Sequence, residues 1–310
     1  KDNSYPNDLQ SPIVCITNST SMNIHRAIGL LKKRKPVFVC HPSIPPELSF
    51  ESGQNFAGAW ADLVVIEFEH YGLDPIGLSR FMQGIRYATP SSESMVTVVA
   101  TLPVSGNSIE SINANAWQIR QLLATGIHGL ILPQASDVHA VVNFVQASRF
   151  STHRQRRDVL GTGCRGAGGE DQASQVWNVS KKDYWRLADP WPLNSDGELL
   201  LGLKIENPES LGRVDDIASV PGIAFAEWGP ADMAMSFEMP DAQEPPYPEL
   251  LYRAMSTVRE ALSKADVSFY CGWSDPAMSV EQQVNFLLDD LDANLLWSPS
   301  VEFATYGRSR

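Results

Sequence analysis

Four acidic residues, a lysine and a histidine stand where apolar runs of this 310-residue chain end. "DLVVIEFEH" closes on Glu67, Glu69 and His70, "LLLGLKIE" on Lys204 and Glu206, and "IAFAEWGPAD" delivers Asp232 as the chain turns into a helical pattern. Side chains on an extended run alternate, so Leu200, Gly202, Lys204 and Glu206 share one side, and Leu201, Leu203 and Ile205 the other. Burying an unpaired charge is expensive, so greasy runs that close on charged groups are placing them against something. Taken singly, each such end reads as a strand fraying into a polar loop, and Glu206 and Asp232 as ordinary caps. Taken together, four carboxylates converging on one mouth call for a cation. Oxygen donors without a Cys or His cluster point to Mg²⁺ or Mn²⁺, with Glu206 and Asp232 as its two protein ligands.

That convergence needs a frame. Eight short apolar runs recur ("VFVC", "DLVVIEFE", "MVTVVATL", "GLILP", "LLLGLKIE", "IAFAEWG", "VSFYCGW", "ANLLWSPS"), each but the last leading into a helical pattern. Continuous rather than alternating apolar character suits a parallel sheet covered on both faces. Eight βα repeats are expected to close into a (β/α)8 TIM barrel, an α/β fold whose chemistry sits at the C-terminal ends of the strands. The pattern "IHRAIGLLKKRK" before the first strand predicts a helix that caps the bottom of the barrel. Two departures are expected. A long insertion before strand 5, about residues 150–196 and rich in Arg, Gly, Trp and Asp, reads as a lid or binding element that would have to climb to reach the mouth. The last stretch, "VEFATYGRSR", leaves little for an eighth helix.

Composition sets the outer bounds. A formal charge of −12 argues against nucleic acid and anionic membrane as partners, and no apolar run approaches a membrane span. Eight Trp and twelve Phe suffice for one large core, so residues 20–310 are expected to form a single domain after a flexible N-terminal segment, 1–19. Cys15, Cys40, Cys164 and Cys271 are scattered without metal-ligand or disulfide spacing. Reduced thiols and a cytoplasmic location are the corresponding expectation.

The stretches "ADLVVIEFEHYGLD", "IHGLILPQASDVHAVV" and "IENPESLGRVDDIASVPGIAFAEWGPADMAMS" resemble the HpcH/HpaI aldolase family, including its fungal macrophomate synthase-like branch, over about Val37 to Pro299. The resemblance implies a divalent-metal-dependent carbon–carbon lyase acting on a 2-oxo acid, by aldol cleavage or addition or by decarboxylation of the oxaloacetate type. It matches Glu206 and Asp232 to the family's metal ligands, His70 to its catalytic histidine and Glu67 to the acid partnered with that histidine. Glu69 falls on the glutamate of the "EH" pair, and Gly229, Pro230 and Ala231 on the loop that holds the substrate carboxylate. It also implies a homo-oligomer. Two positions depart from the pattern. Thr101 stands where the family carries an Arg that grips the 2-oxo acid, and Lys204 where it usually has Gln. A guanidinium clamp and a flexible ammonium are not equivalent. Thr101 and Lys204 are therefore expected at the substrate, with Lys204 either holding it or pairing with Glu67 or Glu69. The lost Arg keeps two alternatives open: cyclisation or addition on a larger substrate at the same metal site, or a binding protein without catalysis.

Overall fold

Every apolar run predicted as a strand is one in the structure, a computed structural model that describes residues 23–42 and 45–310. The expected flexible segment 1–19 lies outside the described residues. The strands are β1 (Val37–Cys40), β2 (Leu63–Ile66), β3 (Thr97–Thr101), β4 (Gly129–Leu132), β5 (Pro190–Trp191), β6 (Leu199–Ile205), β7 (Phe225–Trp228), β8 (Ser268–Cys271) and β9 (Leu295–Trp297). All pairings are parallel, and β4–β6 and β1–β9 close eight of the strands into a barrel, with helices between them. The two-residue β5 comes from the insertion and pairs only with the start of β6.

Alternation divides each strand between two cores. Val39, Val65, Val99, Ile131 and Phe225 fill the barrel, while Val64, Val98, Leu130, Leu201 and Leu203 face the helices. Gly202 faces inward by alternation and is glycine because Phe225 occupies the space: a Cβ there would lie 2.3 Å from the Phe225 ring. The predicted bottom cap is present as the helix Arg26–Leu31, whose buried Ala27, Ile28 and Leu31 join the interior cluster. Apolar burial at these positions is worth roughly 1.5–3 kcal/mol per large aliphatic side chain.

The insertion is folded, and it is not a lid. Its helices Arg157–Leu160, Glu170–Trp177 and Lys181–Leu187 are too short to show a periodicity in sequence. Their anchors lie at the lower end of the barrel: Trp177 Nε1 donates to the carbonyl of Gly126 just before β4, and the Tyr184 hydroxyl to that of Leu123. Arg149 grips the buried Asp189 through Nε (2.7 Å) and an Nη (3.2 Å), and His153 Nδ1 lies 3.0 Å from the same carboxylate. Arg165 is stacked on Phe150 and bonded to the Tyr184 hydroxyl. Arg149, His153 and Arg165 are thus occupied away from the mouth.

The last stretch forms a full helix, Val301–Ser309, where little was expected. Ser300 caps it, accepting from the Phe303 N–H, and Phe303, Ala304 and Gly307 bury one face, Gly307 lying directly against the Phe38 ring. Two and a half turns were enough to pack.

Candidate active site

The mouth of the barrel is organised by β2, β6 and β7, whose inward positions turn polar in their last residues. Lys204 and Glu227 are register partners on β6 and β7, and Glu227 and Tyr270 on β7 and β8. Since Phe225 and Tyr270 face the interior, so do Lys204 and Glu227. Apolar Val65 and Val99 lie below them, so the top layer of the barrel is the polar one.

Within that layer the sequence-predicted residues split into two groups. Lys204 Nζ donates to Glu69 Oε2 at 2.6 Å and to Glu67 Oε2 at 3.4 Å. Glu67 Oε1 accepts from the Thr101 hydroxyl at 2.5 Å and from the Glu69 N–H at 2.6 Å. The Thr101 oxygen in turn accepts from the Phe68 N–H at 2.9 Å, and the residue is fully buried. Thr101 is therefore spent on Glu67, and the Lys204 ammonium balances both acids of β2. Burial alone would raise Glu67, but Lys204, the Thr101 hydroxyl and the Glu69 N–H outweigh it and hold Glu67 below its ordinary value. For Glu69 burial wins, with the charge of Glu67 reinforcing it, and its pKa is raised.

The second group is nearer solvent. His70 Nε2 lies 3.9 Å from Glu69 Oε2 and 3.9 Å from Asp232 Oδ2. These three residues each offer a ligand atom within 4.8 Å of the others. No hydrogen bond joins His70 to Glu67 among the described residues. Asp232 sits in the first turn of the helix Pro230–Ser236, started by Pro at its N-terminus and by Gly229 with no side-chain cap. Gly229 is required by close approach, since a Cβ there would lie 2.6 Å from Glu206 Oε2.

Glu206 is almost completely buried, and its Oε1 accepts from the Gln134 N–H at 2.7 Å. Burial pushes its pKa up to about 9, with Glu69 and Asp232 adding to the rise and Lys204 and the Gln134 N–H opposing it. A buried carboxylate raised in this way is an oxygen donor suited to a hard divalent cation, while the clustered ligand atoms at the mouth are those of Glu69, His70 and Asp232. Gln134 was not foreseen. It holds the left-handed conformation at φ 50°, uncommon outside glycine, and its Oε1 accepts from Asn207 Nδ2 at 2.7 Å. Asn207 also caps the helix Pro208–Leu211, so this cap and the Gln134 turn together fix the Glu206 carboxylate.

Glu227 was missed as well, because "IAFAEWG" reads as an uninterrupted apolar strand with one acid inside it. Two more groups complete the layer: the Tyr270 hydroxyl and His41 Nε2 lie 3.2 Å apart. Burial lowers His41 to about 4, keeping the imidazole neutral, and burial pushes the Tyr270 phenol far up.

An all-parallel eight-stranded barrel with charged residues at the ends of its strands is a TIM barrel. Residues 51–287 match the family description HpcH/HpaI aldolase/citrate lyase, and the chain belongs to that family. Relatives include a pyruvate aldolase of Rhizobium etli, 31% identical over 133 residues (43% of this chain, 44% of that protein), so the alignment spans less than half of that relative. A hydroxypyruvate/pyruvate aldolase of Chromohalobacter salexigens is 22% identical over 69% of this chain and 77% of its own length. Among solved structures, an HpcH/HpaI aldolase from Desulfitobacterium hafniense superposes with a TM-score of 0.68 at 18% identity, covering 93% of this chain and 95% of that one. Macrophomate synthase does so at 0.58 and 17%, covering 89% and 83%. At these identities the structural likeness supports the barrel alone. No described helix is long and apolar enough to cross a membrane.

Proposed function

We propose that this protein is a divalent-metal-dependent lyase that makes or breaks the carbon–carbon bond next to a 2-oxo acid. The observation that supports the reading is the buried Glu206 carboxylate, its pKa raised by burial and by the charges of Glu69 and Asp232, at the mouth where Glu69, His70 and Asp232 bring their ligand atoms within 4.8 Å of one another. A cation held by Glu206 and Asp232 would act as a Lewis acid toward the 2-oxo group. The remaining work falls to the chain. The first turn after Gly229 has no side-chain cap, which leaves the N–H groups of Ala231 and Asp232 to receive the substrate carboxylate, with Pro230 setting the turn. His70, with 55% of its side chain exposed and a carboxylate on either side, moves the proton at the reacting carbon or its oxygen. Glu67 acts at one remove, holding Lys204 together with Glu69. Thr101 orients Glu67 rather than gripping substrate, so the positive charge that the family places on strand three is supplied here by Lys204.

The test pairs binding with turnover. Glu206→Gln and Asp232→Asn should each abolish Mn²⁺ binding, read by electron paramagnetic resonance, with melting unchanged. Oxaloacetate decarboxylation and pyruvate–aldehyde addition by the unmodified protein should stop in EDTA and return with Mg²⁺ or Mn²⁺. Turnover indifferent to EDTA, or undiminished Mn²⁺ binding by both variants, would sink the proposal.

A further inference from the structure

The hydrogen-bond accounting of the top layer leaves two carboxylates over among the described residues, Asp232 at its solvent edge and Glu227 inside. Glu67 receives Thr101, the Glu69 N–H and Lys204, Glu69 receives Lys204, and Glu206 receives the Gln134 N–H. Among the described residues no hydrogen bond reaches Glu227, and its oxygens are not among the sealed polar atoms that lack a partner. It is half-buried on an inward strand position, so what solvent reaches it comes through the mouth. Beside it, Lys204 has three N–H donors and two acceptors, Glu67 and Glu69, which leaves one donor free. Neighbouring inward residues on paired strands have Cβ atoms about 5 Å apart. One free acceptor and one free donor at that spacing suit a group that both gives and takes a hydrogen bond.

Resting on the aldolase reading, we propose that Glu227 and Lys204 together form a hydroxyl-recognition subsite, and that Glu227 is a specificity-determining residue. A substrate hydroxyl would donate to the Glu227 carboxylate and accept the third N–H of Lys204. An amine is disfavoured there by the adjacent ammonium. A second carboxylate group is disfavoured by Glu67, Glu69 and Glu227, which outnumber the single lysine. A plain methyl group would leave both polar partners unmet, which is the arrangement that discriminates most strongly between a hydroxylated compound and its deoxy analogue. The hydroxyl belongs either to the 2-oxo acid or to the aldehyde that adds to it.

Two matched pairs of probes separate these sources: hydroxypyruvate against pyruvate, and glycolaldehyde against acetaldehyde, each pair differing by one hydroxyl. Dissociation constants for the two acids are measured by calorimetry on the Mg²⁺-loaded protein, and kcat/KM for the aldehydes with each acid. The unmodified protein should favour the hydroxylated member of one pair by tenfold or more. Glu227→Leu should abolish that preference while leaving the deoxy member within about threefold, and the isosteric Glu227→Gln, which keeps an acceptor, should retain part of it. Removing a carboxylate from an acid-crowded layer should not harm folding, and unchanged melting confirms it. Equal treatment of both members in both pairs, or a preference that survives Glu227→Leu, overturns the subsite while leaving the aldolase reading in place. Loss of all turnover together with a retained binding preference for hydroxypyruvate would refute the aldolase reading and keep the subsite.

Discussion

Replacing Lys204 by methionine isolates the electrostatics of the barrel mouth, because methionine keeps the length and apolar stem while removing the charge. The Lys204, Glu67 and Glu69 side chains are each about 11% exposed. Breaking a buried ion pair by removing one partner costs about 3–5 kcal/mol, since a charge is left uncompensated. The protein has an escape, which sets a ceiling: each stranded carboxylate can take up a proton, at a cost at pH 7 of about 2.5 pKa units or ~3.4 kcal/mol. Glu67 and Glu69 thus contribute at most ~7 kcal/mol, and ~4 kcal/mol is the expectation. With an unfolding entropy of about 2.1 cal/mol/K per residue, that loss lowers Tm by roughly 6 °C. The pH dependence fixes the cause. In the variant both carboxylates have folded-state pKa values above their unfolded ones, so the folded protein binds more protons. The penalty should be full near neutrality and shrink as pH falls toward 4.5. Urea unfolding at pH 5, 6, 7 and 8 in EDTA, variant against unmodified protein, measures it. A stability difference that does not change with pH, or none at all, would refute the pairing of Lys204 with Glu67 and Glu69.

His70→Ala should lower turnover by ~10²–10⁴ with Mn²⁺ affinity little changed, as expected of a proton-transferring group and not of a ligand; a loss of Mn²⁺ binding in the same variant would make His70 a ligand. The lower end of the barrel carries its own pH signature. Burial lowers His25 to about 3 and His128 well below its ordinary value, so above pH 6.5 both are neutral folded or unfolded, and below it only the unfolded chain takes up their protons. Their contribution is present above pH 6.5 and lost as pH falls, at about 1.4 kcal/mol per pH unit each. Glu198, raised to about 7 by burial, opposes one of them between pH 4.5 and 7. His128→Gln should remove one proton's worth of slope from urea unfolding between pH 6 and 4, and an unchanged slope would count against burial as the cause.

The frame of this protein was legible because parallel strands buried on both faces must be continuously apolar, and nothing else in the sequence competes with eight such runs. The inward placement of Lys204 followed from alternation alone. What escaped has physical reasons. Glu227 is flanked by Ala226 and Trp228, so its charge is hidden in a strand that reads as core. The left-handed turn at Gln134 has no glycine or asparagine to announce it. The insertion's polar composition suggested a mobile cover, yet its buried Asp189 is gripped by Arg149 from the preceding helix end, with His153 beside it, a pairing that no spacing rule reveals. The Thr101 hydroxyl was expected to face substrate, and its position beneath Glu67 depends on the third dimension.

The helix Arg26–Leu31 plugs the barrel from below with buried Ala27, Ile28 and Leu31. Packed side chains fill the barrel above this plug, so the polar layer on top of them is entered and left through the mouth alone. Whatever settles against Lys204 and Glu227 must arrive before anything occupying the rim near His70, and must depart after it. A two-substrate reaction in such a vessel runs last in, first out: the deeper compound behaves kinetically as the leading substrate, and excess of the shallower one traps it inside.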